Sequence, residues 1–190
     1  MDVKTAIETR RAYRSLEKVE ITQEIIEILG NAASLAPSCF NYQPWRFIFV
    51  YEKKVLDQLV SALSSSNQTW ATNASMIIVA FTKKEDDCVI DREGYNREYY
   101  LFDVGQAVSY ITLQATELGL VAHPIAGYNP KLVHEILSIP TSYVVINLII
   151  VGKKNPNIDH LSEKQKVTEV ERPKRLSLNK IVFHNRFLKN

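Results

Sequence analysis

The spacing of apolar residues changes several times along this chain, and each change predicts an element. Residues 2–9 set Val3, Ala6 and Ile7 on one face of a short helix. From Ile21-Thr22 onward, Ile25, Ile28, Leu29, Ala32 and Ala36 recur at helical spacing. Thr22 is suited to cap that helix, and Ile21 is placed to staple against Ile26. The period then collapses. Phe47-Ile48-Phe49-Val50-Tyr51 is a nearly continuous apolar run, which predicts a strand buried on both faces. Val55, Leu56, Leu59, Val60 and Leu63 mark another amphipathic helix. After the polar break Ser64-Ser65-Ser66-Asn67 comes a second buried strand, Ser75 to Phe81. The longest periodic stretch runs from Tyr99 to Leu118 through Leu101, Val104, Val108, Ile111 and Ala115, with Gly119 as its stop. Ala107, Ser109, Thr112 and Ala115 keep its other faces small, which suits close helix packing or a dimer seam. Asn129-Pro130 supplies a cap and a first-turn proline for a short helix through Leu137. Tyr143 to Val151 reads as a third buried strand, interrupted by Asn147.

Two stretches fall outside this pattern and carry the candidate chemistry. Ala36-Pro37-Ser38-Cys39-Phe40-Asn41-Tyr42-Gln43-Pro44-Trp45 joins a helix to a strand, yet it is too polar and too rigid for a neutral turn. Pro37 stops the helix, and Pro44 holds Gln43 extended. Between them lie side chains able to hydrogen-bond a planar heterocycle; the plainer reading is an ordinary polar connection. Arg10, Arg11 and Arg14 crowd five residues after the first helix. Such a cluster is either a solvated surface or a phosphate site, since guanidinium forks match phosphate oxygens.

Composition narrows the classes. With 190 residues, 46% hydrophobic and 23% charged, one globular domain spanning 1–190 is expected. No apolar run approaches the roughly 20 residues of a membrane helix, and Met1-Asp2-Val3-Lys4 does not resemble a signal peptide. Cys39 and Cys88 form no C-x-x-C pair and no disulfide framework, so a reducing cytoplasm is the expectation. The sequons Asn67-Gln68-Thr69 and Asn73-Ala74-Ser75 are then chance matches. Residues 153–190 carry 10 Lys+Arg against 4 Asp+Glu, and the remainder 13 against 17, giving the net charge of +2. A basic tail fits a nucleic acid, a phosphate ligand, an acidic partner or simple solvation. The six glycines exclude G-x-G-x-x-G and the P-loop. His123, His134, His160 and His184 lack companions at metal spacing, and no metal site is assigned. Only His123 lies near a motif, where a packing or surface role is expected rather than a catalytic one. No histidine is local to Cys39, so it does not read as a nucleophile.

Pro37-Ser38-Cys39-Phe40-Asn41-Tyr42-Gln43-Pro44-Trp45 resembles the P-S-[SC]-x-N-x-Q-P-W segment of the nitroreductase family of FMN-dependent oxidoreductases. Arg10-Arg11-Ala12-Tyr13-Arg14, Pro124-Ile125-Ala126-Gly127-Tyr128, and Arg175-Leu176 followed by Ile181-Val182-Phe183-His184-Asn185-Arg186-Phe187 fall in the family's order. The resemblance implies an α+β fold: a mixed β-sheet flanked by helices, in an intertwined homodimer whose 153–190 arm packs on the partner. It implies FMN in a cleft shared by both chains, with NADH or NADPH as a transient hydride donor. Arg10 and Arg175 would hold the phosphate, with Arg14 near it or the pyrimidine edge, and Arg11 and Ala12 in the same segment. Ser38, Cys39, Asn41 and Gln43 would come from the other chain. Asn67 would meet the pyrimidine edge, while Pro124, Ile125, Ala126 and Gly127 would lie beside the ring, with a backbone N–H of Ala126 or Gly127 aimed at N5. Ala12 stands where serine is common, and Trp70 where some members carry a lysine. The short region 83–98 replaces the insertion that lids the substrate pocket in the family.

The function that follows is reduction of a nitroaromatic, quinone or related small-molecule acceptor by a ping-pong mechanism, in which the cofactor carries the chemistry. Neither a membrane nor a nucleic acid is an expected partner. A non-catalytic flavin-binding or regulatory protein is the alternative. A nucleic-acid-binding module built on the basic tail is a third reading, and it predicts a colourless protein with salt-sensitive binding.

Overall fold

The computed structural model describes residues 1–187, so the apolar Leu188 that follows Phe187 lies outside the described residues. The chain runs α1 (Val3–Thr9), β1 (Leu16–Glu17), α2 (Gln23–Ser34), β2 (Arg46–Val50), α3 (Lys53–Ser61), α4 (Ser65–Ala71) and β3 (Met76–Thr82). It continues through β4 (Val89–Arg92), β5 (Tyr95–Glu98), α5 (Tyr100–Glu117), β6 (Leu120–Ile125), α6 (Pro130–Leu137), β7 (Val144–Lys154) and α7 (Glu163–Val170). The expected helix ends hold. Thr22 accepts from the Ile25 N–H at 3.3 Å, and Asn129 caps α6 through the Leu132 N–H at 3.3 Å. Gly119 leaves α5 at φ +72°, a left-handed turn that favours glycine.

Five strands form the main sheet in the order β1-β7-β3-β2, with β6 also on β7. Lys153 pairs with Leu120 of β6 and with Glu17 of β1, so β1 and β6 lie on opposite edges of β7. Every ladder among the described residues is antiparallel. The helix-flanked α+β architecture is therefore as expected, but its strands do not mix directions. The period of two decides the layers. Ile77 and Val79 of β3, with Leu148 and Ile150 of β7, face α3, α4 and α6. Met76, Ile78 and Ala80, with Ile149 and Val151, face α2 and α5. All nine of these side chains are 0% exposed, and each large one contributes about 1.5–3 kcal/mol on burial.

Four local expectations change. The run at Phe47 is not buried on both faces: among the described residues β2 pairs only with β3, and as an edge strand it leaves Phe47, Ile48 and Phe49 half-buried. Leu101, counted on the apolar face of α5, is 52% exposed. The polar region 83–98, where the apolar pattern predicts no element, is regular: β4 and β5 make a separate two-stranded hairpin. Its turn places Glu93 and Gly94 at φ +55° and +81°, the left-handed pair of a two-residue hairpin loop. Finally, the 153–190 stretch contains α7, begun by a capping box between Ser162 and Gln165. After α7, residues 171–187 are exposed, including Leu176, Leu178, Ile181, Phe183 and Phe187.

Candidate active site

The arginines gather where the end of α1 meets the end of α7. Arg10, Arg11, Ala12, Arg14, Arg172 and Arg175 border a hollow of about 190 Å³. They are not equivalent. Arg11 is engaged by the chain itself, donating to the carbonyls of Thr168 (2.6 Å) and Val170 (3.2 Å) and lying 4.8 Å above the Tyr13 ring. Arg172 donates to the carbonyls of Glu8 (2.5 Å) and Arg10 (2.9 Å). Buried Glu169 accepts the backbone N–H groups of Arg14 (2.9 Å) and Ser15 (2.8 Å), which pins the segment to α7. Arg10 has no carboxylate partner among the described residues. Burial, and then the charges of Arg172 and Arg175, push its guanidinium below the ordinary range. Half-buried Arg10, Arg11 and Arg14 beside exposed Arg172 and Arg175, with no paired carboxylate among the described residues, are a place prepared for a multiply charged anion.

A hydrogen bond and a ring stack connect this hollow to the end of β6. His123 meets the Tyr13 carbonyl through Nδ1 at 3.0 Å and stacks on Trp70 at 4.9 Å, 23° from parallel. Burial pushes the imidazole down to about 4, so the neutral ring donates from Nδ1. The packing role expected for His123 is what the geometry shows. Trp70 is 0% exposed and presents no face to a ligand. One turn earlier on α4, Asn67 donates from Nδ2 to the Gly127 carbonyl at 3.1 Å, and the Ser64 N–H reaches the same carbonyl at 2.8 Å. Of the β6 end, Ile125 is buried in the core, Pro124 and Gly127 are half-buried, and Ala126 is exposed. The N–H groups of Ala126 and Gly127 have no partner among the described residues, so both can donate to a ligand.

Ser38, Cys39, Asn41 and Gln43 stand apart, on the α5 side of the sheet. Asp103, 1% exposed, accepts the Cys39 N–H at 2.7 Å and the Gln106 amide at 3.2 Å. Ser38 Oγ accepts the Gln43 N–H at 3.0 Å. Phe40, Asn41 and Gln43 all have positive φ, +48°, +59° and +50°, so Gln43 is left-handed and not in the extended form that Pro44 predicted. Only asparagine tolerates that region readily, so the loop stores strain. Asp103 was missed in the sequence, though a carboxylate on the apolar face of the longest helix, beside Val104, was its signal. The cysteines require a correction: Cys39 and Cys88 are joined as a disulfide. Folding brings residues 49 apart together, which sequence spacing did not disclose, and the argument from unpaired cysteines to a reducing compartment falls. With Asp87 they form a cluster of donor atoms, but the two sulfurs are bonded to each other.

Within one chain, then, the arginine hollow, Asn67 and residues 124–127 form one neighbourhood, and the Ser38–Gln43 loop another. An antiparallel sheet between helical layers, with a cationic hollow and donor N–H groups at its margin, matches one known class. The chain belongs to the nitroreductase family, whose sequence pattern it matches over residues 7–153. A protein of Archaeoglobus fulgidus named a putative NADH dehydrogenase/NAD(P)H nitroreductase is 29% identical over 150 residues, covering 77% of this chain and 82% of that protein. Among solved structures, an oxidoreductase containing FMN superposes with a TM-score of 0.83 at 29% identity, covering 100% of this chain and 95% of that one. An FMN-dependent nitroreductase from Clostridium difficile R20291 superposes with a TM-score of 0.75 at 26% identity, covering 97% and 100% of the two chains.

Proposed function

We propose that this protein is an FMN-dependent oxidoreductase that takes hydride from NADH or NADPH and reduces a nitroaromatic, quinone or related acceptor. The observation that carries this reading is the Arg10–Arg172–Arg175 cluster around one hollow; burial first, and then the charges of Arg172 and Arg175, depress Arg10, and a phosphate dianion would relieve the repulsion. The donor set fits the rest of such a ligand. Arg10 and Arg175 hold the phosphate, Arg14 lies beside it, and Arg172 props the Arg10 backbone. Asn67 keeps Oδ1 for a pyrimidine-type edge, and the N–H of Ala126 or Gly127 donates to a ring nitrogen. FMN, when bound, supplies the two-electron carrier that these side chains lack. Donor and acceptor use one opening in turn, which makes the kinetics ping-pong.

The second neighbourhood is explained by a homodimer in which the Ser38–Gln43 loop of one chain completes the site of the other. Exposed Phe102 (62%) and Tyr110 (41%) on α5, and Phe187 (71%) at the end of the arm, provide apolar surface for that interface. No helix among the described residues is long and apolar enough to cross a membrane. We place the protein in the cytoplasm, where both nicotinamide nucleotides are supplied.

The test is direct. Heat-released supernatant should contain FMN rather than FAD, and the bound flavin should bleach under anaerobic NADH or NADPH and recover with a quinone or nitroaromatic. A protein that stays colourless after reconstitution overturns the reading. Bound flavin that neither nucleotide reduces would make it a non-catalytic flavin binder.

A further inference from the structure

The β4–β5 hairpin has little holding it to the body of the protein. Among the described residues its two strands pair only with each other, and such hairpins are marginal alone in water. A half-exposed ion pair, Lys84–Glu98 at 3.5 Å, lies at its base. The Cys39–Cys88 disulfide joins that base to the strained Ser38–Gln43 loop. A hollow of about 380 Å³ opens beside Cys39, between Tyr99 and Phe102. Another of about 540 Å³ reaches Cys88 and Asp87. Cys39 is half-buried, whereas Cys88 is 8% exposed. An oxygen of the Asp87 carboxyl and both sulfurs lie within 4.8 Å of one another. Asp87 Oδ1 accepts the Cys88 N–H at 2.7 Å, and buried Oδ2 has no partner among the described residues.

We propose that the Cys39–Cys88 bond is an exchangeable latch, opened by dithiols, with Asp87 as the acid that protonates the departing Cys88 sulfur. A thiolate of the dithiol attacks the more accessible Cys39 Sγ, forming a new S–S bond as the Cys39–Cys88 bond breaks. The electron pair leaves on Cys88 Sγ, which takes the Asp87 proton and becomes a thiol. The second thiol of the reductant then displaces Cys39, giving a cyclic disulfide and two protein thiols. Cys39 leaves with the proton released from that second thiol, and Asp87 is reprotonated from solvent.

The surroundings favour the protonated form of Asp87. Burial pushes its carboxyl above the ordinary range, and Asp103 on α5 pushes the same way against the opposing Cys88 N–H. Protonated Asp87 can donate to Asp103, which gives the orphaned oxygen its partner. The other charges nearby pair elsewhere: Arg46 of β2 with Asp86 at 3.8 Å, and Lys84 with Glu98 of β5. Glu85 is exposed, and the Tyr100 ring lies under Lys84 at 5.5 Å. Opening the latch releases the hairpin and unloads the Ser38–Gln43 loop. That this loop borders a flavin rests on the proposed function; the exchange chemistry does not.

The experiment uses aerobically purified full-length protein, treated natively with dithiothreitol from pH 6 to 8 and quenched with an alkylating mass tag. Two tags per chain should appear on the order of minutes. Hydrogen exchange in residues 89–98 should rise at least about tenfold in the opened form. Asp87→Asn should open about tenfold or more slowly, with the gap widest at the acid end of the range, where more Asp87 carries its proton. Cys39→Ser, or Cys88→Ser should the first not fold, should show fast hairpin exchange that dithiol no longer changes. Tags appearing without reductant, a bond that outlasts hours of excess dithiol, or unchanged hairpin exchange on opening each overturn the latch. Asp87→Asn matching wild type at every pH overturns the role of Asp87. FMN titration of the oxidised and opened forms separates the two proposals. No binding by either form sinks the flavin reading and leaves the exchange result standing. Binding about tenfold weaker in the opened form supports coupling to the site, and equal affinity overturns it.

Discussion

A Cβ built on Gly127 would lie 2.7 Å from Nδ2 of Asn67, the atom that already donates to the Gly127 carbonyl at 3.1 Å. Asn67 thus serves as a brace for the β6 end, and Gly127 is required there for space. The same Cβ would also meet Ser64 Oγ at 2.7 Å, so moving one side chain does not make room.

Gly127→Ala should therefore lower stability by about 1–3 kcal/mol, the cost of overpacking, measured as a urea midpoint shift without flavin. It should also weaken FMN, because residues 124–127 shift to accommodate the methyl. Adding Asn67→Ala removes one of the two clashes and should recover only part of the stability. Complete recovery would mean that Ser64 is not in the way.

Removing charge from the arginine hollow should separate binding from stability. Arg10→Ala relieves repulsion with Arg172 and Arg175, so the flavin-free protein should be no less stable than wild type. FMN binding should weaken by about 1.5–3 kcal/mol, the range for a charged hydrogen bond. Arg172→Ala should destabilise the flavin-free protein as well, since it loses its bonds to the Glu8 and Arg10 carbonyls. Titration calorimetry and denaturant melts of the two variants check both signs.

The shared-site dimer predicts complementation. Arg10→Ala and Asn41→Ala should each weaken FMN binding, but from opposite chains. A mixed dimer then contains one doubly damaged site and one intact site, and flavin occupancy should recover as subunits exchange. No recovery despite demonstrated exchange would place both segments in one chain's site.

His123 makes stability fall on the acid side. Its folded form stays neutral down to about 4, against 6.5 for the free side chain, so the unfolded chain binds the extra proton. This contribution is absent above pH 6.5 and grows as pH falls toward 4. Between pH 7 and pH 5 it should cost about 2 kcal/mol. His123→Phe, which keeps a ring against Trp70, should show a shallower acid slope in urea midpoints. An unchanged slope would assign the acid sensitivity to other groups.

Local sequence determined a large part of this protein. Thr22, Gly119 and the Asn129-Pro130 pair act on backbone within a few residues, so α2, α5 and α6 were legible from neighbours alone. The Ser75–Phe81 and Tyr143–Val151 runs were equally plain, because a strand covered on both faces needs apolar residues at every position. The arginines and the Pro37–Trp45 stretch were visible as chemistry, through residue type and order. Tertiary structure decided what depends on distant partners. Whether the Phe47 run is central or edge turns on a strand far along the chain. The division of the arginines, with Arg11 and Arg172 bound to carbonyls and Arg10 without a counter-ion, exists only once α7 packs against residues 10–15. Cys39 and Cys88 meet because Asp103 on α5 holds the Cys39 backbone where the hairpin base passes. Spacing along a chain encodes local geometry, whereas proximity across 49 residues is set by how the layers pack.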